Sequence, residues 1–444
     1  MQLSVEAMVA QAPTPVTQWG MPRGGPFRWT RPATWPREAL ALAGYWIASR
    51  LVMIGMLRSG KAEQAIEVHR TYHHWYLVLS DGHFPAGDVT WQYPPGAALA
   101  MLAPGLLSFL TYLQAFALLM LLTDAVTQAA LVRVSLRRNG GVHRGRSTAG
   151  AWMWALSLPL LLGLPYGRYD LPVTALAMAA LLLMPSRPVA GGALAGLGAM
   201  VKVWPALVVL GAPRGKGTRQ AWVGMCLAAA ALLLVMATMF DGSLDFLTAQ
   251  RGRGVEIESL GGSVLHVARE LGWPGEVDMH YGSLEFLGPH VDLVARVSLV
   301  LTAMAFGWLL LWRFRARRWN PALPYDAALT AVLLFTVTSR VISPQYLVWL
   351  IGLAAVCLTV RGSSQRPVAV VILLAVGVTT LDYPLFFDAM IKGGWQPTLV
   401  IVARNGLLLI ASLWSAARLW RVSVSPVAAL QEAPRVSRGP IRVA

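Results

Sequence analysis

The chain alternates long apolar runs with short polar connections. Uncharged apolar windows recur, for example at 171–185 and 222–240. A helix that crosses a bilayer needs about 20 mostly apolar residues, and several windows approach or reach that length. The pattern predicts an all-α polytopic integral membrane protein with about twelve transmembrane helices. The predicted spans lie near 39–57, 93–109, 110–132, 149–165, 171–184, 190–211, 220–240, 293–312, 325–340, 345–360, 367–381 and 397–415.

Charge is scarce and unevenly placed. Charged residues make up 13% of the chain, yet the formal net charge is +16. Cations concentrate in the connections 133–146, 212–219, 313–319 and 361–366. Such blocks are typical of cytoplasmic loops and do not indicate a nucleic-acid partner. With both termini inside, three blocks fall on the cytoplasmic side. The block 133–146 falls outside, against the positive-inside rule, by which cytoplasmic loops carry the excess of Lys and Arg.

The polar segments suggest how the chain is organised. Residues 1–38 and 416–444 are rich in Pro and Arg, which predicts a disordered cytoplasmic arm and tail around a membrane domain at 39–415. Two large outer loops are expected at about 58–92 and 241–292. The two cysteines, Cys226 and Cys357, lie inside apolar segments, which argues against a disulfide framework.

The first outer loop carries most of the candidate chemistry. Apolar and aromatic residues from Ile66 to Leu79 follow helical spacing, as in an interfacial amphipathic helix. His69 and His73 share one face of that helix, but no HExxH motif accompanies them, so we assign no metal and no cofactor. The loop carboxylates, among them Glu67, Asp81 and Asp88, are candidate general bases for a hydroxyl acceptor; for any single one, the alternative is a solvated loop carboxylate.

Arg340 stands near the end of a predicted span, within SRVISPQYLVWLIG. A charge near hydrocarbon is costly and therefore points to a function. Guanidinium binds phosphate oxygens in pairs, so a lipid phosphate at the membrane surface is a fitting ligand. Gln345 and Tyr346 supply further donors. The alternative is that Arg340 only snorkels to the interface.

Other ionisable residues are embedded in apolar runs. Such groups usually pair within a helix bundle, so we expect Asp124 to bind a cation. Asp170, next to Arg168, is expected to brace a span end. Lys202 has two interpretations, a bundle partner or a contact to the same phosphate. The embedded residues are Arg50, Asp124, Lys202 and Arg404.

Six stretches together resemble glycosyltransferase family 87, the integral-membrane mannosyltransferases with the GT-C fold that use polyprenyl-phosphate-mannose. They occur in the family's order over about residues 40–410. Departures are Glu67 where the family has its catalytic aspartate, Ala86 in place of an aromatic residue, and Glu256 where Gln is usual. The stretches are 67–99, 166–183, 196–210, 251–260, 339–352 and 403–410.

The resemblance implies the roles of individual residues. Glu67 would be the base, with Asp88 as the second candidate. The residues implied in substrate binding are Arg340, Gln345, Tyr346, Lys202, Tyr93, Arg253 and Glu258.

The resemblance also implies the reaction. A hexose, mannose first of all, would pass with inversion from polyprenyl phosphate to a glycolipid or cell-envelope glycan. The site would face outward from the cell membrane, where membrane lipids are the other partners. A transporter or flippase of lipid-linked sugars and a non-catalytic scaffold are the alternatives.

Overall fold

The computed structural model describes residues 37–58, 63–85, 87–136, 147–212, 214–246 and 253–425. Most of the predicted arm and most of the predicted tail lie outside these residues, as do Ala86 and most of the block 133–146, whereas Arg37 and Glu38 of the arm begin the first helix. The last helix ends at Ser423, beyond the predicted domain end at 415. The division into domains otherwise stays a prediction.

Helices form most of the described chain. They are α1 (Arg37–Arg58), α2 (Glu63–Glu67), a π-helical turn (Val68–Tyr72), α3 (His73–Ser80), α4 (Ala97–Leu102), a 3₁₀ turn (Ala103–Leu106), α5 (Tyr112–Leu136), α6 (Ala149–Ser157), two 3₁₀ turns (Leu158–Leu161 and Leu164–Tyr166), α7 (Asp170–Leu183), α8 (Pro188–Val201), a 3₁₀ helix (Trp204–Gly211), α9 (Lys216–Met239), α10 (Leu260–Glu270), α11 (Val291–Arg315), α12 (Leu323–Thr338), α13 (Tyr346–Leu358), α14 (Arg366–Thr380), a π-helical turn (Leu381–Leu385), α15 (Phe387–Lys392) and α16 (Trp395–Ser423).

The helical composition agrees with the predicted all-α membrane protein. Six helical segments are long and apolar enough to cross a membrane: Arg37–Leu57, Tyr112–Leu136, Lys216–Met239, Val291–Arg315, Arg366–Leu385 and Trp395–Ser423. Shorter apolar helices pack among them, and α13 is buried throughout from Leu347 to Cys357. The count of twelve spans and the GT-C fold stay predictions.

The helix ends gather at two opposite faces, which we name after the predicted orientation. The inner end is the face where Thr148 donates to Glu38 and Ser147 N–H donates to Thr359 O at 3.0 Å. The outer end is the face that holds Tyr72, Tyr112, Asp170, Lys202 and Tyr346.

The predicted span 93–109 does not cross between these ends. A Cβ on Gly96 would lie 2.6 Å from Met200 O, and the Tyr112 hydroxyl donates to Tyr72 O at 3.2 Å and Met101 O at 3.0 Å. The segment therefore begins and ends at the outer end. Consequently α5 runs from the outer to the inner end, and the basic block 133–146 begins at the inner end, in the last turn of α5. Its conflict with the positive-inside rule disappears.

The predicted span 190–211 consists of two helical segments, and the chain reverses direction between them at Lys202. Helices α8 and α9 run parallel, because Gly192 packs on the backbone of Ala221 and Gly196 on that of Met225. The 3₁₀ helix after Lys202 then returns toward the inner end. A Cβ on Gly192 would lie 1.9 Å from Ala221 O, so only glycine permits this packing. The turn between these two helical segments places Lys202 at the outer end.

A small domain at 253–290, the outer cap, covers part of the outer end. It holds α10 and an antiparallel sheet in the order β1-β3-β2, formed by β1 (Val255–Glu256), β2 (Glu276–His280) and β3 (Ser283–Leu287). Ser259 caps α10 by accepting from Gly262 N–H at 2.8 Å. The sequence predicts an outer loop here and does not predict the sheet, because β2 is largely exposed and lacks apolar alternation.

Candidate active site

Lys202 occupies an aromatic cage at the outer end. The backbone leaves the helix at this residue, with φ −146° and ψ 135°. Lys202 Nζ lies 2.7 Å from Asp170 Oδ1. The structure thus brings together the predicted residues Lys202, Tyr93 and Tyr346. The distances from Nζ to the surrounding ring centroids are 4.7 Å for Tyr169, 5.4 Å for Trp349, 5.6 Å for Tyr93 and 5.8 Å for Tyr346.

The start of α13 forms an aromatic wall of the cage. Tyr346 stacks on Trp349 with 3.9 Å between ring centroids, and Trp349 stacks on Trp204 at 5.2 Å. Gln345, immediately before Tyr346, is half-buried. These rings give the site a flat apolar surface beside a cation.

Arg253 connects the outer cap to the cage. Its guanidinium donates to Gln92 Oε1 at 2.5 Å and to Ser283 Oγ at 2.7 Å, and it pairs with Glu285 at 3.2 Å. Gln92 precedes Tyr93, whose ring faces Lys202. The predicted residue Arg253 therefore lies at the same end as the cage, with its charge already matched by a carboxylate.

Arg340 lies beyond α12, which ends at Thr338 and not at 340 as predicted. Its Nη1 donates to Arg253 O at 2.5 Å. Burial and the neighbouring Arg253 lower the pKa of Arg340 from its usual value, and Glu285 partly opposes them. Across the described chain, no carboxylate comes within 4.0 Å of Arg340. Arg340 is therefore a half-buried cation without an acidic partner in the described residues.

Glu256 ties the Arg340 loop to the cap. Ile342 N–H donates to Glu256 Oε2 at 3.2 Å, and Glu256 N–H donates to Arg340 O at 3.1 Å. Burial raises the pKa of Glu256 to about 8, against the Ile342 hydrogen bond and the charge of Arg404. A protonated Glu has the shape and hydrogen-bonding character of Gln, the residue usual at this position in the family pattern.

Glu67 borders the cage through two intermediate side chains. Its Oε1 lies 2.9 Å from Arg168 Nη1, and Arg168 lies 3.5 Å from the Tyr72 hydroxyl. The Tyr72 ring meets Tyr169, which contacts Lys202. The Glu67 side chain keeps 32% of its surface exposed. It is therefore an oriented carboxylate that a second substrate can reach.

Asp88 is held differently. Trp75 Nε1 donates to Oδ2 at 2.9 Å, while Thr90 donates to Oδ1 from its backbone at 2.8 Å and its hydroxyl at 2.5 Å. Burial raises the pKa of Asp88, but the hydrogen bonds from Thr90 and Trp75 outweigh it and leave the pKa below its usual value. Both oxygens already accept hydrogen bonds, which favours a loop-anchoring role over a base.

Glu258 is buried and pairs with a cation that is not part of the cage. It pairs with Arg404 at 3.1 Å, and Asp382 pairs with the same Arg404 nitrogen at 3.0 Å. Asn405 Nδ2 donates to Glu258 O at 3.1 Å. The structure therefore does not bring Glu258 together with the other predicted substrate-binding residues. The cluster fastens the cap to α16.

The predicted pairing of Asp124 is confirmed. Arg50 Nε lies 2.8 Å from Asp124 Oδ2, and both side chains are buried. Trp154 Nε1 and the Tyr166 hydroxyl also donate to this carboxylate, each at 2.7 Å. This cluster holds α1, α5 and α6 together inside the bundle.

Sequence reasoning missed three members of the site: Tyr169, Trp349 and Gln92. Both aromatic residues lie at the edges of apolar runs, where a ring is typical of a core. The clue was their spacing, since Tyr169 precedes Asp170 and Trp349 follows Tyr346 by three residues, one helical turn. In the part of the chain that the structure describes, no group of three or more His, Cys, Asp or Glu side chains is placed to hold a metal.

The sequence itself decides the family. The family model of glycosyltransferase family 87 matches residues 91–344, which are 254 of the 444 residues. The chain belongs to glycosyltransferase family 87. This membrane glycosyltransferase carries Lys202, Arg253 and Arg340 inside the matched region, whereas Glu67 and Asp88 precede it. No curated protein and no solved structure matches the chain significantly.

Proposed function

We propose that this family 87 glycosyltransferase transfers a hexose, mannose first of all, from a polyprenyl phosphate to a hydroxyl of a glycolipid or cell-envelope glycan. The enzyme would have a GT-C fold and act at the outer face of the cell membrane. The observation that carries the proposal is Arg340, a half-buried cation without a carboxylate partner among the described residues. Arg253 links it to Gln92, the residue before Tyr93 of the Lys202 cage.

The donor phosphate would bind between Arg340 and Lys202. Guanidinium donates two parallel N–H hydrogen bonds to phosphate oxygens, and ammonium adds a point charge. Arg253 supports Arg340 through its carbonyl oxygen at 2.5 Å. As the bond from the sugar to the phosphate breaks, negative charge grows on the polyprenyl phosphate. Fixed cations stabilise that charge most strongly in the transition state.

The sugar would lie against the aromatic wall. Ligand sites combine apolar and aromatic surfaces with a few oriented polar groups. Tyr346 and Trp349 offer such a surface, stacked at 3.9 Å, and Tyr93 and Gln345 border it. Arg253 would shape the entrance because it links the cap to Gln92.

Glu67 would take the acceptor proton. The acceptor oxygen would then attack the anomeric carbon from the side opposite the phosphate, so that its configuration inverts. Arg168, 2.9 Å away, would orient the carboxylate. Asp88 remains the second candidate, although its three donors occupy both oxygens. The transporter alternative gains no support from the family match.

Donor choice tests this proposal. The purified protein should transfer label from radiolabelled polyprenyl-phosphate-mannose to an acceptor lipid. Nucleotide-activated mannose should give no product, because it lacks the lipid that brings phosphate to the membrane surface. Transfer from the nucleotide sugar alone, or transport of the lipid-linked sugar with its phosphate bond intact, would contradict the proposal.

A further inference from the structure

A basic pocket of about 410 Å³ lies at the inner end, away from the candidate active site. Arg315, Arg317, Arg318 and Val424 line it. Arg315 ends α11, and the next residues turn beneath the end of α16. The backbone N–H groups of Arg317 and Arg318 donate to Ser423 O at 3.0 and 3.2 Å. The backbone that presents these arginines is therefore fixed.

The pocket concentrates positive charge. The side chains of Arg315, Arg317 and Arg318 are exposed, and within the described ranges none pairs with a carboxylate within 4.0 Å. Arg214 adds a fourth guanidinium, which donates to Arg313 O at 2.5 Å and Phe314 O at 2.8 Å. A helix C-terminus carries only about half a negative charge. The local cations therefore exceed what the helix end can neutralise.

The wall below the pocket is apolar and exposed. Helix α11 is long and apolar enough to cross a membrane. Toward its inner end it exposes Leu310, Leu311 and Phe314, the last at 73%. Trp308 and Trp420 lie nearby with ring centroids 6.1 Å apart. Tryptophan rings at this depth are typical of the boundary between headgroups and acyl chains.

We propose that this basic pocket binds the phosphate headgroup of an anionic phospholipid of the inner leaflet. The arginines hold the phosphate by charge-assisted hydrogen bonds, and the acyl chains lie on α11. The continuity of the pocket with an apolar helix face favours a lipid over a free phosphate in the cytoplasm. The site lies at the opposite end from the donor site and does not depend on the proposed reaction.

Lipid binding to the full chain tests this proposal. Native mass spectrometry in neutral detergent would compare phosphatidylglycerol with phosphatidylcholine and with inorganic phosphate. Arg315→Gln, Arg317→Gln and Arg318→Gln combined should weaken phosphatidylglycerol binding at least ~10-fold, since all three cations that would hold the phosphate are removed. The matched control replaces Arg37, Arg187 and Arg219 by Gln, because all three are exposed at the inner end.

The control variant should retain the preference for phosphatidylglycerol over phosphatidylcholine, which the triple pocket variant should lose. If the test and control variants lose the same affinity for phosphatidylglycerol, the loss reflects net charge, and this result would overturn the proposal. Competition by millimolar inorganic phosphate would identify a phosphate site instead. If the triple variant does not fold, the single variant Arg318→Gln should still weaken binding, and unchanged binding there contradicts the proposal.

Discussion

Lys202 Nζ and Trp349 Nε1 both donate to Asp170 Oδ1, at 2.7 Å and 2.6 Å. Asp170, the first residue of α7, therefore binds Lys202, where the chain leaves α8, and Trp349 in the first turn of α13. One anion therefore fixes the lysine and part of the aromatic wall of the cage. Nζ has three protons, so the hydrogen bond to Asp170 leaves donors for a phosphate.

Removing the lysine together with its partner separates stability from binding. Lys202→Met or Asp170→Asn alone should destabilise the protein by about 3–5 kcal/mol, because each leaves an unpaired buried charge or donor. The double variant should regain part of that stability while losing donor affinity. The matched control is the buried pair Arg50–Asp124, whose removal should lower the melting temperature without changing the donor affinity of the folded protein. Normal donor affinity in the stable Lys202 double variant would remove the lysine from the donor site.

Arg340→Ala should weaken binding of polyprenyl-phosphate-sugar roughly 10- to 100-fold, since a charge-assisted hydrogen bond contributes about 1.5–3 kcal/mol. Turnover should fall further, because the leaving charge grows in the transition state. Arg340→Lys should restore part of both. Donor affinity and melting temperature are measured on the same proteins.

Arg269→Ala is the control for Arg340. Arg269 also belongs to the outer cap, and its guanidinium donates to Met390 O at 2.7 Å and Ile391 O at 3.1 Å. Its loss should lower stability and leave donor affinity unchanged. If Arg340→Ala behaves like Arg269→Ala, Arg340 is a structural anchor.

Glu67→Gln preserves shape and removes proton acceptance, so turnover should fall by about 10² to 10⁴. Donor binding should stay nearly constant. Asp88→Asn should mainly loosen the loop that contains Thr90, with a smaller effect on the chemical step. Single-turnover kinetics with saturating donor distinguish these outcomes. An active Glu67→Gln enzyme beside an inactive Asp88→Asn enzyme would assign the base to Asp88.

Glu256 should make the stability of the cap depend on pH. Its folded pKa of about 8 lies above the usual value for Glu. The folded state therefore binds more protons between those two values, and its stability falls as pH rises through this interval. Glu256→Gln should flatten this slope and keep donor binding, because Gln matches the protonated form. Thermal melts from pH 5 to 9 measure the slope, with exposed Glu276→Gln as control. An unchanged slope in Glu256→Gln would show that another group titrates.

Activity should survive exhaustive chelation. In the proposed site, Arg340 and Lys202 would supply positive charge for the leaving phosphate, and we assign no ligand set to the histidines. The measurement is turnover before and after EDTA treatment. Loss of activity that a divalent ion restores would make His69, His73 and the nearby carboxylates the first ligand candidates.

The sequence predicts helices well and connectivity less well. Apolar runs located nearly every helix of the bundle, because burial in lipid or protein demands continuous apolar surface. Length alone could not show that 93–109 starts and ends at one face, or that 190–211 reverses at Lys202. Those paths depend on close contacts at Gly96 and Gly192, which involve residues distant in sequence.

The candidate site shows the same contrast between what the sequence predicts and what depends on the fold. Cations and carboxylates stand out in an apolar sequence, so the sequence singles out Lys202, Arg340 and Glu67 as candidates. Their partners were not, because Arg168 and Asp170 are only two ionisable residues separated by Tyr169 until the fold pairs Asp170 with Lys202 and Arg168 with Glu67. The partner of Glu258 could not be predicted for a related reason. A carboxylate in a loop motif does not reveal that Arg404, in the last helix, will pair with it.

The most direct test of the account is transfer of radiolabelled mannose from polyprenyl phosphate by the wild-type protein and by Arg340→Ala. Both are purified, matched for folded fraction by their melting curves, and supplied with candidate lipid acceptors. The account predicts a labelled glycolipid with the wild type, and at least ~10-fold less with Arg340→Ala, because the cation that holds the phosphate is gone. Equal product from both proteins would contradict the role of Arg340. The absence of transfer by wild-type protein that binds the donor would contradict the glycosyltransferase reaction itself.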